Sequence, residues 1–189
     1  MANIGLRHFK YSVIVDDKYT GSNKMVGAIE SKPSINVAEA ELYADDTIAE
    51  KVSEFTKGSI SLVITDDDDK VFAPLLGHKI DTETQEVIKT TDDIAPFVGF
   101  GRVIVKYVNG AKKYKAEFFP KIQFKPFTTD GKTKGENIEF QTPTIEGTLF
   151  TKEFVVDGVK TQVWERHKTF DTDEDAQAYL DELMALEEE

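Results

Sequence analysis

The chain of 189 residues is 40% apolar and 31% charged, which is typical of one folded domain with its own core. It contains no cysteine, which excludes disulfides and thiolate chemistry, and 35 acidic against 23 basic residues give a net charge of −12. That charge disfavours a nucleic-acid binder, because such a surface must be cationic, and no apolar run is long enough to span a bilayer.

Strand patterns dominate the first part of the chain. The opening MANIGLRHFKYS lacks the apolar segment of a secretory signal peptide, so we expect no targeting segment there. Further along, in GSISLVIT, the apolar residues Ile60, Leu62 and Ile64 fall on every second position. This period of two predicts a half-buried β-strand.

Four consecutive aspartates, Asp66 to Asp69, follow that strand and raise the question of a Mg²⁺ or Ca²⁺ site. They also suit the first turn of a helix, where the helix dipole favours each negative charge by about 0.3–1 kcal/mol. Thr65 can cap that turn, because its hydroxyl can accept the amide hydrogen of Asp68. Adjacent helical residues fan out by about 100°, so four aspartates cannot converge on one ion. We therefore predict a helix from about Asp66 to Leu76, ended by Gly77, and no metal site.

The region from Gly77 to Pro96 is a long polar stretch, in which we expect a short hairpin around Thr82–Gln85. Loops of this length inside compact domains usually carry function or contact a partner. The GFG that follows at 99–101 does not match a dinucleotide-binding motif. It predicts instead a strand that another backbone or a bulky side chain approaches closely.

A long hairpin comes next, because Asn109-Gly110 suits the positive φ angles of a type I′ turn. Alternation on its return strand predicts one apolar face, with Phe119 as the exception. The residues predicted to share that face are Tyr114, Ala116, Phe118, Pro120, Ile122 and Phe124. The lysines between Lys113 and Lys121 fall on the other face, where we expect them to pair with carboxylates.

The stretch from Pro126 to Trp164 predicts a loop, a bent strand and a second hairpin. Gly131-Lys132-Thr133 matches the end of a phosphate-binding P-loop, but Pro126 replaces a required glycine, so we predict a solvated loop. In ENIEFQTPTIEGTLF the apolar positions change from even to odd after Pro143, which predicts a bend and favours an edge strand. FVVDGVKTQVW predicts a hairpin that turns at Asp157-Gly158, with Trp164 as a core or interface residue.

The C-terminal segment predicts a helix from about Asp173 to Leu186, with Thr172 and Asp175 as a capping pair. Its apolar stripe consists of Ala176, Tyr179, Leu180, Leu183 and Met184. Four acids in the same region match positions of a calcium-binding EF-hand loop: Asp171, Asp173, Asp175 and Glu182. Ala176 occupies the position where that loop requires glycine, so we predict no calcium site.

No stretch of the sequence has a recognisable catalytic pattern. It contains neither a cysteine nucleophile nor a G-x-S-x-G elbow, and His8, His78 and His167 have no local partner pattern. We predict that the chain is not an enzyme and has no catalytic residue, no cofactor and no metal. A Mg²⁺-dependent hydrolase built on Asp66 to Asp69 remains a separate hypothesis.

Five stretches taken together resemble the major tail proteins, or tail tube proteins, of long, flexible-tailed phages of Gram-positive bacteria. They occur in that family's order and span nearly the whole chain. The stretches are MANIGL at the N-terminus, LYADD at 42–46, LLGH at 75–78, IAPFVGFG at 94–101 and EFQTPTIEGT at 139–148.

The resemblance implies a mainly β fold, a β-sandwich or barrel with one flanking α-helix and a C-terminal α-helix. Residues 1–170 would form the tail-tube domain, and residues 171–189 a C-terminal helix with an acidic tail. The family polymerises as six-subunit rings that stack into the tail tube and conduct DNA. The implied partners are copies of the chain, the tape measure and the tail terminator, with no membrane and no specific DNA binding. The implied location is the virion, and the host cytoplasm during assembly.

Several features of the residues agree with self-assembly. Free strand edges can join sheets across subunits, and the N-terminal arm and the loops at 77–96 and 126–135 can bridge rings. The net charge of −12 predicts an acidic tube wall that repels DNA phosphates. The alternative is a free-standing β-sandwich that binds carbohydrate or protein. Such a module displays exposed aromatics on one face, whereas Phe118 and Phe124 fall on an apolar face.

Overall fold

The computed structural model describes residues 2–25, 27–44, 47–65, 69–128 and 142–185. Within them the chain is mainly β with two helices, one of them C-terminal, as the sequence predicts. The first elements are β1 (Ala2–Val15), β2 (Lys18–Tyr19), β3 (Asn23–Lys24), β4 (Ala28–Ala44), β5 (Thr47–Ile64), α1 (Asp69–Leu76), β6 (Lys79–Ile80) and β7 (Val87–Ile88). They are followed by β8 (Phe97–Val108), β9 (Ala111–Phe124), β10 (Thr144–Phe150), β11 (Lys152–Val156), β12 (Val159–Val163), β13 (Arg166–Phe170) and α2 (Asp173–Leu183).

One nine-stranded sheet forms the body of the fold, in the order β2-β1-β8-β9-β10-β5-β4, with β3 beside β1 and β13 beside β9. Three strands separate β8 from β4 along this order. Even so, the guanidinium of Arg102 on β8 donates a 2.5 Å hydrogen bond to the carbonyl oxygen of Ser31 on β4. The sheet is therefore folded over, and its two ends face each other across a core as the layers of a sandwich do.

The larger hydrophobic core lies inside this curl. Its side chains come from both ends of the sheet, including Phe9 on β1 and Leu62 on β5, and α1 packs against them. Each fully buried aliphatic or aromatic side chain stabilises the fold by about 1.5–3 kcal/mol.

The predicted first helix is present as α1, and Gly77 follows it with a φ of 74°. Its predicted start, capped by Thr65, extends into residues 66–68, which lie outside the described residues.

A smaller core lies on the opposite face of β8 and β9, beneath α2. The α2 side chains of Ala176, Leu180 and Met184 are completely buried there, against Val103 and Phe118 among others. These are members of the apolar stripe predicted from their spacing of three and four. α2 therefore covers a sheet face that would otherwise be exposed and apolar.

The predicted start of α2 is also confirmed. The hydroxyl of Thr172 accepts a hydrogen bond from the amide of Asp175 at 3.2 Å and donates one to its carboxylate at 2.6 Å. This reciprocal pair satisfies an amide that the first turn leaves without a partner.

Strand β9 is buried on both faces near its middle, and the prediction of a single apolar face is wrong. The pairing of β8 with β9 shifts in register between Val98 and Phe100. Because this bulge reverses the alternation, Ile122 and Phe124 enter the larger core, whereas Ala116 and Phe118 enter the smaller one. A strand that is apolar on both faces carries no alternation from which the bulge could be predicted.

Strand β10 was predicted as an edge strand, but it lies inside the sheet between β9 and β5. The predicted apolar face is correct, since Ile145, Gly147 and Leu149 are buried. Pro143 precedes the strand, where its missing N–H removes no ladder bond, and its carbonyl accepts from the amide of Ile64 at 3.0 Å. The even-numbered positions before Pro143 lie outside the described residues.

The predicted tight turns are confirmed by their backbone angles. Asn109 and Gly110 have φ values of 50° and 81°, and Asp157 and Gly158 have φ values of 51° and 80°. The short hairpin expected in the polar stretch is formed by β6 and β7. Local turn chemistry alone is sufficient for these features.

We expect Leu180→Ala to lower the free energy of unfolding by about 2–5 kcal/mol, because it leaves a cavity in the smaller core. Denaturant unfolding followed by circular dichroism measures this loss. The exposed Glu182 on the same helix provides the control, since Glu182→Ala should change stability by about 0.5 kcal/mol or less. Equal effects of the two substitutions would contradict the packing of α2 on the sheet.

Candidate self-association surface

The longest projection from the fold is the hairpin of β4 and β5, which are 17 and 18 residues long. β10 pairs with β5 only from Val63 to Gly58. Beyond Gly58 the hairpin continues without a third strand in the described structure. We call residues 36–44 and 47–57 the ribbon. At about 3.3 Å per residue its strands extend roughly 27 Å beyond the sheet.

The ribbon is exposed on both faces. Among the described side chains of residues 36–41 and 51–57, Phe55 is half-buried and the others are exposed, including Val37 and Val52 at 51% each. The outer edge of β4 pairs with no other strand in the described part of the chain, which leaves its backbone groups available. An isolated two-stranded hairpin is marginally stable in water, so the ribbon is suited to being covered by another surface.

A buried ion pair holds the root of this hairpin. Arg102 on β8 lies opposite Glu117 on β9, and its Nε and Nη2 donate to Glu117 Oε2 at 2.9 and 2.7 Å. Its Nη1 donates to the carbonyl oxygen of Ser31. Both charged side chains are 6% exposed, so they depend on these contacts for the hydration they have lost. The pair therefore ties β4 to the centre of the sheet.

The carboxylate of this pair has a perturbed pKa. Burial alone would raise the pKa of Glu117, but a 2.6 Å hydrogen bond from Lys115 and the nearby charge of Arg102 lower it below its ordinary value. Glu117 is therefore ionised at neutral pH and matches the charge of Arg102.

The polar stretch after α1 is held in place by Asp93. Its carboxylate accepts the Thr90 hydroxyl at 2.6 Å and the Thr90 amide at 2.9 Å, and it lies 2.6 Å from Nδ1 of His78. The two Thr90 hydrogen bonds, with a further contribution from His78, lower the pKa of Asp93 to about 2. The stretch is thus anchored at both ends, and the β6–β7 hairpin between them is largely exposed.

The described acidic residues that were considered as metal ligands do not converge. Asp69 is the described member of the aspartate run, and it is exposed at the start of α1. Asp66 to Asp68 and the Gly131-Lys132-Thr133 stretch lie outside the described residues. Asp175 of the EF-hand-like set serves as the capping partner of Thr172. In the described ranges no group of three or more His, Cys, Asp or Glu side chains could hold a metal ion.

Each histidine contacts a carboxylate that the sequence did not reveal. The three contacts are His8 Nε2 to Asp173 Oδ2 at 2.7 Å, His78 Nδ1 to Asp93 Oδ2 at 2.6 Å and His167 Nδ1 to Glu165 Oε1 at 2.8 Å. The first joins β1 to α2, and the second joins the end of α1 to the polar stretch. These contacts connect elements of the fold and need no catalytic explanation.

The GFG stretch lies where bulky side chains approach the backbone, as predicted. A Cβ added at Gly99 would lie 2.7 Å from the ring of Tyr19, and one at Gly101 would lie 2.8 Å from Leu180. These glycines allow Tyr19 and α2 to pack directly on β8. Their function is structural.

The lysines of β9 have two kinds of partner. Lys113 pairs with Asp171 and Lys115 with Glu117, as the prediction of carboxylate partners requires. Lys121 instead places its Nζ 4.4 Å from the centre of the Phe97 ring. A cation over an aromatic face is attracted by the negative charge density of the ring.

Partly exposed aromatic side chains surround the root of the ribbon. Trp164 stacks on Phe55 with 5.7 Å between ring centroids and 3° between planes. Phe97 and Phe150 meet edge to face, with 5.4 Å between their centroids. The predicted role of Trp164 as a core or interface residue is consistent with this stacking. The sequence contains no signal for the group, because its members come from distant strands.

We expect a double-mutant cycle on Arg102 and Glu117 to show strong coupling. Glu117→Leu alone should lower the free energy of unfolding by about 3–5 kcal/mol, because it leaves the buried Arg102 cation without a carboxylate. Arg102→Met alone should lower it by less, because Glu117 keeps its ion pair with Lys115. The double variant should lose much less stability than the sum of the losses of the two single variants. Lys112→Met, at an exposed position of the same strand, is the control. Additive losses in urea unfolding would contradict this account of the pair.

Asp93 should make the fold sensitive to acid. Because its pKa is lower in the folded chain than in the unfolded chain, its contribution to stability is complete above about pH 4 and is lost as pH falls towards 2. We expect Asp93→Asn to be less stable at neutral pH and to lose less stability over that interval. The control is the neighbouring Asp92→Asn, whose free energy of unfolding should change with pH as that of the wild type does. If the wild type and both variants lost the same stability between pH 4 and pH 2, the acid sensitivity could not be assigned to Asp93.

Neither helix of the described chain has the length and apolar character needed to cross a membrane. No model of a known protein family matches the chain, and no curated protein matches it. Its function is therefore inferred from its own residues and contacts.

Proposed function

We propose that this chain is a structural virion protein, the major tail protein of a long, flexible-tailed phage. It polymerises with copies of itself as stacked rings and forms the tube through which DNA leaves the virion. The observation that carries the proposal is the ribbon, a projecting pair of strands whose described side chains are largely exposed on both faces and whose outer edge has no partner strand among the described residues. The resemblance of the five sequence stretches to phage major tail proteins is the reason for proposing stacked rings and a tube rather than another assembly.

The ribbon favours a head-to-tail interface between copies. A strand edge on one copy can continue the hydrogen-bonding pattern of a sheet on the next, because backbone donors and acceptors are the same in every copy. A heterologous contact of this kind closes into a ring if the rotation per copy allows it. The exposed valines of the ribbon would gain burial in such a contact.

Net charge supports the passage of DNA without binding. At −12 the chain repels phosphates over distances comparable to the Debye length, about 8–10 Å at physiological salt. The exposed sheet face opposite the larger core carries both signs, with Glu30 and Glu146 beside Lys32 and Lys121. We therefore propose that the net negative charge of the whole subunit, rather than the charge of that face alone, repels the DNA phosphates.

The remaining assignments follow from the same proposal. The chain is not an enzyme and needs no cofactor or metal. Its partners in the tail are the tape measure and the tail terminator, and it resides in the virion after assembly in the host cytoplasm. The exposed β6–β7 hairpin is a candidate contact between successive rings.

A free-standing binding module is the second candidate function. The observation that favours it is the group of partly exposed aromatics around Phe55 and Phe97, since carbohydrate sites commonly use aromatic faces. A module of this kind would remain monomeric at all concentrations, so the state of assembly separates the two functions.

We expect Ala38→Lys with Ala40→Lys to prevent assembly, because lysines along an exposed strand oppose edge-to-edge pairing. Light scattering and negative-stain microscopy over a concentration series measure assembly, and thermal unfolding should remain near that of the wild type. The matched control is Ala178→Lys with Ala185→Lys, which adds the same charge at exposed positions on and after α2.

Two outcomes would count against the proposal. If the wild type stays monomeric at high concentration, both alone and with tail initiator proteins, the binding module is favoured. If wild type and edge variant assemble equally, the outer edge of β4 is not the interface.

A further inference from the structure

A groove lies on the outer face of the sheet, at the root of the ribbon. Its volume is about 290 Å³, and its walls include Phe55, Phe97, Phe150 and the lysines Lys57 and Lys121. No ion pair within the described residues involves either lysine. We call this the aromatic groove. It is apolar at its walls and cationic at its rim.

The β11–β12 hairpin ends in an apolar tip with a free carboxylate. Val155 and Val159 are 70% and 63% exposed, and Val156, which pairs with Val159, is exposed as well. Asp157 forms the turn, and within the described chain it has no ion-pair partner. Val156 and Val159 share one face of the hairpin and Val155 lies on the other, so the tip is apolar on both faces, and nothing in the described structure covers it.

The tip cannot enter the groove of its own chain. β11 starts at Lys152, next to the groove residue Thr151, and β12 returns to Trp164, which stacks on Phe55. The hairpin thus starts and ends beside the groove, and its tip lies roughly 16 Å along the strands from there. Buried contacts of Lys152 and Phe154 fix the direction of the hairpin.

We propose that the valine tip of one copy inserts into the aromatic groove of the next copy. The valines would occupy the aromatic walls, and Asp157 would meet the rim formed by Lys57 and Lys121. Charge and polarity are complementary between the two surfaces. The groove lies just below the 300–1,000 Å³ range of small-molecule sites, which suits a few side chains better than a free ligand.

The proposed contact joins successive copies head to tail. Because tip and groove are different surfaces at different positions of the same chain, each copy offers one of each, and the contact is heterologous. It does not use the outer edge of β4, so it supplies a second, independent link between copies. The inference rests on the proposed self-assembly and names a pair of surfaces that perform it.

The first test replaces the valines of the tip. Val155→Thr, Val156→Thr and Val159→Thr keep the β-branched shape that strands favour but remove the apolar surface. We expect the combined variant to require about a tenfold or higher concentration to assemble, as followed by light scattering. Wild-type assembly should also change the fluorescence of Trp164, the single tryptophan, which stacks beside the groove, and the variant should lose this change.

The second test uses disulfide cross-linking, which a chain without cysteine permits. A tagged copy with Val156→Cys is mixed with an untagged copy carrying Thr151→Cys under mild oxidation. We expect a covalent heterodimer whose two parts differ by the tag. The control mixture pairs Val156→Cys with Thr169→Cys, an exposed position on β13, and should yield little product.

The outcomes separate this inference from the function on which it rests. If the wild type assembles, but the valine variant assembles equally well and the two mixtures cross-link alike, the tip-to-groove contact is wrong and self-assembly stands. If the wild type does not assemble even with tail initiator proteins, both are wrong. The inference is supported if the valine variant assembles less readily than the wild type and if Val156→Cys cross-links to Thr151→Cys but not to Thr169→Cys.

Discussion

The buried guanidinium of Arg102 is the constraint on which the shape of the sheet depends. A desolvated cation must find acceptors, and here they are the Glu117 carboxylate on the neighbouring strand and the Ser31 carbonyl on β4, which three strands separate from β8 in the sheet. Both can be reached only if the sheet folds over. The same folding encloses the larger core and directs the ribbon past the edge of the sheet.

The middle of β9 is the second element that the architecture requires. It is buried on both faces, by the larger core on one side and by α2 on the other. The bulge beside Phe119 changes which positions face each layer, so that Phe118 packs under α2 while Ile122 and Phe124 pack in the larger core. Since both sides of this strand are covered, the surfaces proposed for association lie elsewhere, at the ribbon, the groove and the valine tip.

Sequence reasoning succeeded where neighbouring residues determine the structure. The turn at Asn109-Gly110, the cap at Thr172 and the alternation of β10 depend on nearby residues alone, and each was predicted. Sequence reasoning failed where a feature depends on residues that are far apart in the chain. The interior position of β10 and the separation of Phe118 from Ile122 and Phe124 depend on strands brought together by tertiary folding. The aromatic groove was missed for the same reason, because residues from separate strands form it.

The exposed surfaces of the chain suit ordered growth better than random aggregation. A net charge of −12 makes copies of the chain repel one another, so the proposed assembly requires several contacts that form together. The ribbon and the tip-and-groove pair lie at different places and join different surfaces. A two-fold dimer would need each surface to match itself, and a valine tip does not match another valine tip as well as it matches an aromatic groove with a cationic rim. If the chain assembles as proposed, head-to-tail addition would satisfy both contacts at once, whereas a two-fold dimer would leave one of the two surfaces exposed on each copy.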